Sequence, residues 1–165
     1  MSDDPQIIER SEQPYVAIAA SVNVNQIGDT LPPLLPEVFA WLDEHGIASA
    51  GAPFFKYDII DMAGTLVIEA GVPVEVAVVG DDRVTAGSLT AGRYATVAHV
   101  GHPDGLEQAT ADLLEWAHQR GLEWDVVEAD DGEHWASRLE IYLSDPVEEP
   151  DMNAWRTELA FRLRD

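Results

Sequence analysis

The chain begins with a pattern that alternates between strand-like and helix-like spacing of apolar residues. β-Branched and apolar residues dominate the segment 14–24, which predicts a strand. Between 32 and 45 the apolar residues recur at helical spacing, with a core-facing stripe of Leu35, Val38, Phe39 and Leu42. Further strands are predicted at 54–60, 65–70 and 74–79.

The second half of the chain repeats this order of elements. A strand is predicted at 93–100, followed by a helix over 104–120 whose buried face comprises Leu106, Ala109, Leu113 and Ala117. Strands then follow near 124–128, 136–143 and 156–163. In the last of these, the alternation predicts that Thr157, Leu159, Phe161 and Leu163 face the core and that Arg156, Glu158, Arg162 and Arg164 face solvent.

Matching residues in the two halves indicate an internal repeat. Trp41 and Gly46 align with Trp116 and Gly121, and both glycines are placed to end a helix in the left-handed conformation. Further on, 66–74 aligns with 139–147, although convergence on a common helix-then-strand pattern would give a similar match. The predicted fold class is α+β: a duplicated strand–helix–strand–strand unit with pseudo-two-fold symmetry, a largely antiparallel sheet and a central cleft.

This pattern also predicts the domain organisation. Residues 1–13 are expected to form an N-terminal tail and 14–165 a single domain of two repeats, about 14–87 and 88–165, joined near 88–92. The 165 residues are enough to bury a substantial core.

Composition and charge narrow the classes of partner. Thirty-one acidic residues against nine basic ones give a formal net charge of −22, which argues against binding of nucleic acid or an anionic membrane and favours cationic partners. A solvated acidic surface without a specific role is the alternative interpretation. Cysteine is absent, and neither a signal peptide nor an 18-residue apolar run is visible, so a cytoplasmic protein is expected.

The segment 138–144 carries the clearest candidate chemistry. Its period of two places Leu139, Ile141 and Leu143 on one face, where they are expected to pack under the helices, and Glu140 and Tyr142 on the other. The repeat alignment puts Val67 at the position of Glu140, so the halves differ there. A carboxylate among apolar neighbours either faces water or lies in the cleft, where it can bind a cationic or hydrogen-bonding ligand.

Aromatic residues cluster on or beside the predicted strands. Rings around a carboxylate suit a lipophilic cation, although core packing explains any single ring as well. Trp41 and Trp116 are expected to be structural. His99 and His102 lack a third ligand at zinc spacing, and no phosphate-binding loop or dinucleotide motif is present, so neither a metal nor a cofactor is predicted.

Three motifs resemble one known family. Pro53-Phe-Phe-Lys-Tyr57, Leu89-Thr-Ala-Gly92-Arg-Tyr94-Ala and Leu139-Glu140-Ile-Tyr142-Leu-Ser-Asp145-Pro146 are similar to the GyrI-like small-molecule-binding domain, the effector domain of AraC-type and MerR-type multidrug-responsive regulators. The resemblance covers about 14–163. It implies two units related by pseudo-two-fold symmetry and an aromatic pocket at their junction, with Glu140 matching the glutamate that engages cationic drugs. Some similar members hydrolyse cyclopropane-bearing natural products.

The resemblance leads to three expectations about function. Because only about 13 residues precede the first strand, no helix-turn-helix is expected, and the first is a standalone protein that binds lipophilic, often cationic aromatic compounds. The second is a cyclopropanoid hydrolase with Glu140 as general base. The third is an acidic protein that interacts with or inhibits a protein partner. The expected ligand-binding residues are Glu140, Tyr142, Tyr57, Phe55, Tyr94 and Trp135.

Overall fold

The computed structural model describes residues 4–61 and 64–165, in which ten strands form one sheet. The strands are β1 Gln6–Arg10, β2 Gln13–Asn23, β3 Phe54–Ile60, β4 Thr65–Pro73, β5 Thr85–Leu89, β6 Gly92–Val100, β7 Val126–Ala129, β8 Gly132–Trp135, β9 Arg138–Tyr142 and β10 Arg156–Arg162. The α-helices are α1 Ile27–Thr30, α2 Leu34–Glu44 and α3 Leu106–Gln119. None of these helices has the length and apolar character needed to cross a membrane.

Every pairing within the sheet is antiparallel, and the strand order is β1-β6-β10-β9-β3-β4-β2-β5. β7 and β8 form a hairpin that joins this path through β3. The mostly antiparallel sheet with few helices confirms the α+β class. The duplicated unit with pseudo-two-fold symmetry stays a prediction.

The central strands of the sheet are β3 and β9, which come from different halves of the chain. In the sheet, the residue directly opposite Glu140 is Phe55. The alignment of Val67 with Glu140 across an internal repeat stays a prediction.

Both longer helices lie on the same face of the sheet. α2 packs over β2 and β4, where Val38, Trp41 and Leu42 join Val16 and Val72 in one apolar cluster. α3 packs over β6 and buries the four residues predicted for its inner face, Leu106, Ala109, Leu113 and Ala117. The central strands β3 and β9 run between the two helices, so side chains on their helix-bearing face occupy the middle of the molecule.

The far face of the sheet carries a second apolar cluster, and one prediction fails there. Leu139 and Ile141 do not pack under the helices but join Tyr15, Phe54 and Tyr94 in this cluster. The alternation along β9 is as predicted, but alternation does not show which face the helices cover. Leu143 follows the end of β9 and is 45% exposed.

Local packing accounts for several other differences from the predicted elements. Residues 6–10, predicted as part of a tail, form β1 and pair with β6. The predicted strand at 74–79 is absent because β4 ends at Pro73, and Val76 and Val79 are 69% and 90% exposed. The predicted join at 88–92 instead includes the end of β5 and the start of β6.

Two side chains differ in burial from what the sequence pattern predicts. Phe39 is 37% exposed, and Trp41 is buried in its place with its indole N–H donating to Asp81 Oδ2 at 2.7 Å. Arg162, predicted to face solvent, is buried and ion-paired with Asp125 and Asp165. The paired charges permit its burial, and sequence alternation could not reveal those partners. Gly46 and Gly121 have φ values of 65° and 68°, which confirms their predicted role after the helices.

Candidate functional site

The two central strands bring four of the predicted site residues together. Glu140 on β9 lies directly opposite Phe55 on β3, and residues opposite one another in a ladder share a face. Tyr57 and Tyr142 each follow two positions later on their own strands and therefore lie on that same face. All four are on the face that carries α2 and α3.

The carboxyl group of Glu140 is held by hydroxyl groups inside this aromatic layer. Tyr142 Oη donates a hydrogen bond to Glu140 Oε1 at 2.7 Å. The Phe55 ring packs edge-on against Tyr142, with 5.0 Å between ring centroids and 71° between planes. Burial raises the pKa of Glu140, while the hydroxyls of Tyr142 and Tyr57 act in the opposite direction by stabilising the charged form.

The two tyrosines remain donors at neutral pH. Burial is the main reason that the pKa of each phenol lies well above 10, and the negative charge of Glu140 raises it further. The site can therefore present a carboxylate and two neutral phenols to a ligand.

A fifth side chain, Arg138, lies beside this carboxylate. Its guanidinium carbon is 4.6 Å from the ring centroid of Phe161, 4.7 Å from that of Trp135 and 6.0 Å from that of Tyr57. Trp124 extends the layer, with its centroid 5.8 Å from both Trp135 and Phe161. Burial lowers the pKa of Arg138, and the neighbouring Tyr57, Glu140 and Glu133 oppose that shift.

The predicted site does not include Arg138, although the sequence pattern contains a signal for it. Arg138 precedes Glu140 by two residues on a predicted strand, so the period of two already places it on the face of Glu140. Phe161 was assigned to the core correctly, but its contact with an arginine depends on the pairing of β9 with β10.

Tyr94 and Trp135 differ in their relation to the site. Trp135 belongs to the same apolar cluster as Phe55 and contacts the site through Arg138. Tyr94 lies on the far face with Leu139 and Ile141, and its hydroxyl donates to the carbonyl of Thr90 at 2.6 Å. It therefore does not form a wall around Glu140.

The far face has polar features of its own. Lys56 is ion-paired with Asp58 and Glu69, and Tyr15 Oη donates to Glu69 Oε1 at 2.9 Å. Burial, and then the neighbouring Asp58, raise the pKa of Glu69 to about 7. A cavity of about 330 Å³ also opens on this face, with Phe54, Tyr94, Leu139 and Ile141 in its lining, and Glu140 does not border it.

The histidines considered as metal ligands have structural contacts. His99 Nε2 is 3.1 Å from the carbonyl oxygen of His102, and the His102 ring accepts a hydrogen bond from the backbone of Asp104. Within 4–61 and 64–165, no three His, Asp or Glu side chains converge as metal ligands would.

Known structures share this architecture over almost the whole chain. The C-terminal domain of EcmrR has a TM-score of 0.75 at 17% identity, and the match covers 98% of both chains. In the EcmrR–DNA complex, the matched part is only 57% of the EcmrR chain. SAV2435, solved with tetraphenylphosphonium bound, has a TM-score of 0.61 at 13% identity, covering 98% of this chain and 94% of that one.

A hydrolase from Listeria innocua is also similar, with a TM-score of 0.65 at 16% identity, covering 97% of this chain and 91% of that one. No functionally curated protein matches the sequence. The family model of the GyrI-like small molecule binding domain matches residues 3–164, which is nearly the full chain. With the antiparallel sheet and the two helices on one face, this match shows that the chain belongs to the GyrI-like small-molecule-binding domain family.

Proposed function

We propose that this domain binds lipophilic aromatic compounds that present a positive charge or a hydrogen-bond donor to Glu140. The observation that carries the proposal is the burial of the Glu140 carboxyl group among Tyr142, Tyr57 and Phe55 on the face between the helices. A buried carboxylate is costly when it has no cationic partner, and a ligand cation that reaches it regains that energy. The rings supply apolar contact and attract cations.

Two further observations support this class of ligand. SAV2435, a structural neighbour, was solved with tetraphenylphosphonium, a lipophilic cation with four aromatic rings. The net charge of −22 raises the local concentration of cations around this chain and repels phosphate. We therefore propose that the domain itself does not contact nucleic acid.

Replacement of Glu140 by glutamine tests the proposal. E140Q keeps the shape of the side chain but removes its charge, so we expect the affinity for rhodamine 123, a flat cationic dye, to fall about tenfold or more. Fluorescence anisotropy of the dye measures the dissociation constant. The matched control is E128Q on β7, which removes one exposed acid from the chain and should leave the affinity unchanged.

The same titrations can also contradict the proposed role of Glu140. Equal affinities of E140Q, E128Q and the unsubstituted protein would show that Glu140 does not recognise the cation. Absence of binding to rhodamine 123, rhodamine 110 and tetraphenylphosphonium alike would reject this ligand class.

A hydrolase is the second candidate, and the raised pKa of Glu140 favours it. A carboxylate whose pKa is raised by burial is a better general base near neutral pH, and one structural neighbour is described as a hydrolase. Glu140 would then take a proton from a water molecule that attacks a strained ring. Incubation with a cyclopropane-bearing alkylating compound would give a ring-opened product that E140Q does not form, whereas recovery of unchanged compound would exclude this activity toward it.

A further inference from the structure

Arg138 has aromatic neighbours but no anionic partner. Within residues 4–61 and 64–165, no carboxylate oxygen lies within 4.0 Å of its guanidinium, and its side chain donates no hydrogen bond. This is unlike Arg162, the buried arginine on the other face of the sheet, which has two carboxylate partners. A guanidinium carries five N–H donors, and the partly exposed side chain of Arg138 places those donors where a bound molecule can reach them. Arg138 therefore has donor capacity to offer a bound molecule.

The position of Arg138 relative to Glu140 limits what that molecule can be. The two residues are separated by one position on β9 and share its helix-bearing face, which places them about 6–7 Å apart along the strand. Each is close enough to feel the charge of the other. Because a positive charge lies near the carboxylate of Glu140, this strip of the sheet is dipolar and does not present an isolated negative charge.

We propose that the site is selective for dipolar aromatic ligands, in which a carboxylate accepts charge-assisted hydrogen bonds from Arg138 while a cationic or donor group binds Glu140. The inference rests on the function proposed above and specifies its substrate class. The rings of Phe161, Trp135 and Tyr57 hold the guanidinium in place, so its planar fork is presented in a fixed orientation. A ligand with a positive charge alone would meet repulsion from Arg138.

Two dyes that differ by one ester group test this selectivity. Rhodamine 123 is a methyl ester and carries a net positive charge, whereas rhodamine 110 has the same ring system with a free carboxylate. We expect the protein to bind rhodamine 110 at least about fivefold more tightly, since a charge-assisted hydrogen bond adds to its affinity. R138M removes the charge and keeps much of the apolar stem, so we expect the preference to reverse toward rhodamine 123.

R120M is the matched control. Arg120 also stacks on an indole, with its guanidinium carbon 4.3 Å from the Trp116 ring centroid, but it lies at the exposed end of α3. Its replacement removes the same charge from the chain and should leave the ratio of the two affinities unchanged. Thermal unfolding establishes that each variant is folded, and R138K, which keeps the charge but loses the planar fork, should show a weaker preference for rhodamine 110 if R138M does not fold.

The outcomes separate this inference from the function on which it rests. A protein that binds rhodamine 123 as tightly as or more tightly than rhodamine 110 would overturn the inference and leave the proposed function standing. A preference for rhodamine 110 that R138M or R138K leaves unchanged would show that Arg138 is not its source, which also overturns the inference. Absence of binding to either dye by the protein and by R138M would overturn the inference, and the proposed function would be rejected with it only if tetraphenylphosphonium also fails to bind.

Discussion

The ionisation of Glu140 is set by two opposing influences from its immediate neighbours. Burial favours the neutral carboxylic acid, whereas the hydrogen bond from Tyr142 and the neighbouring hydroxyl of Tyr57 favour the carboxylate. Because burial prevails, the pKa lies above the ordinary value of 4.5. Recognition of a cation needs the charged form, so affinity should be lost as the pH falls through this raised pKa.

Y142F provides a direct test of this balance. The substitution removes the donor that lies 2.7 Å from Glu140 Oε1 and stabilises its charged form, so the pKa of Glu140 should rise further. The affinity for rhodamine 123, measured from pH 4.5 to 8, should therefore have its midpoint at a higher pH in Y142F. Y94F is the control, since that hydroxyl donates to Thr90 on the far face. Coincident midpoints for Y142F and the unsubstituted protein would contradict the assigned role of Tyr142.

Individual residues of the site differ in how far the sequence could identify them. Glu140 and Tyr142 could be placed together because a carboxylate and a phenol at strand spacing share a face whatever the strand packs against. Tyr94 lies on the other face, and its own strand pattern does not say which face of the sheet borders Glu140. The same spacing that identifies Tyr142 also predicts that Arg138 lies on the face of Glu140. Its aromatic neighbours could not be predicted in this way, because those on β8 and β10 depend on strand pairing.

At the level of elements, the order of strands and helices was more predictable than their partners. The two longer helices, β3 and β10 occur close to their predicted bounds because each has a clear apolar period and a defined end. Only the observed pairing of β3 with β9 shows which strands meet at the centre, because sequence spacing does not encode neighbours across a sheet.

The packing between β3 and β4 can be tested at Gly71. A Cβ at this position would lie 2.7 Å from two ring atoms of Phe54, a residue of β3 whose ring lies on the far face of the sheet. G71A should therefore lower the free energy of unfolding by about 1–3 kcal/mol through overpacking. Urea denaturation measures this difference. The control is G28A in α1, where an added Cβ has no neighbour within 4 Å, and similar stability of the two variants would show that this contact can relax.

At the level of the whole molecule, the net charge has two separate consequences. The excess of acids first indicated cationic partners, but at the site the charge of Glu140 is opposed by that of Arg138. The other acids act at longer range by repelling one another and attracting cations. Repulsion among exposed charges is screened by salt, whereas the ionisation of a buried carboxyl group is not.

This distinction leads to a prediction about stability and pH. Glu69 has a pKa of about 7 in the folded protein and an ordinary value of 4.5, so the folded state holds its proton more tightly than the unfolded chain does. The stability that this adds is fully present below about pH 4.5 and is lost as the pH rises through 7. Glu140, whose pKa is also raised, contributes with the same sign. The unfolding temperature should therefore be higher at pH 5.5 than at pH 8.

The contribution of Glu69 can be isolated by thermal unfolding of the protein and of E69Q in about 0.5 M salt. The Debye length there is roughly 4 Å, so the exposed acids are screened from one another. Because a side-chain amide cannot ionise and Lys56 keeps its ion pair with Asp58, E69Q should be more stable than the unsubstituted protein at pH 8, and this difference should be smaller at pH 5.5. Each kcal/mol corresponds to about 2–4 °C in a domain of this size. E128Q should follow the unsubstituted protein at both pH values. Equal pH dependence in E69Q and E128Q would assign the effect to groups other than Glu69, since the exposed charges are screened in all three proteins.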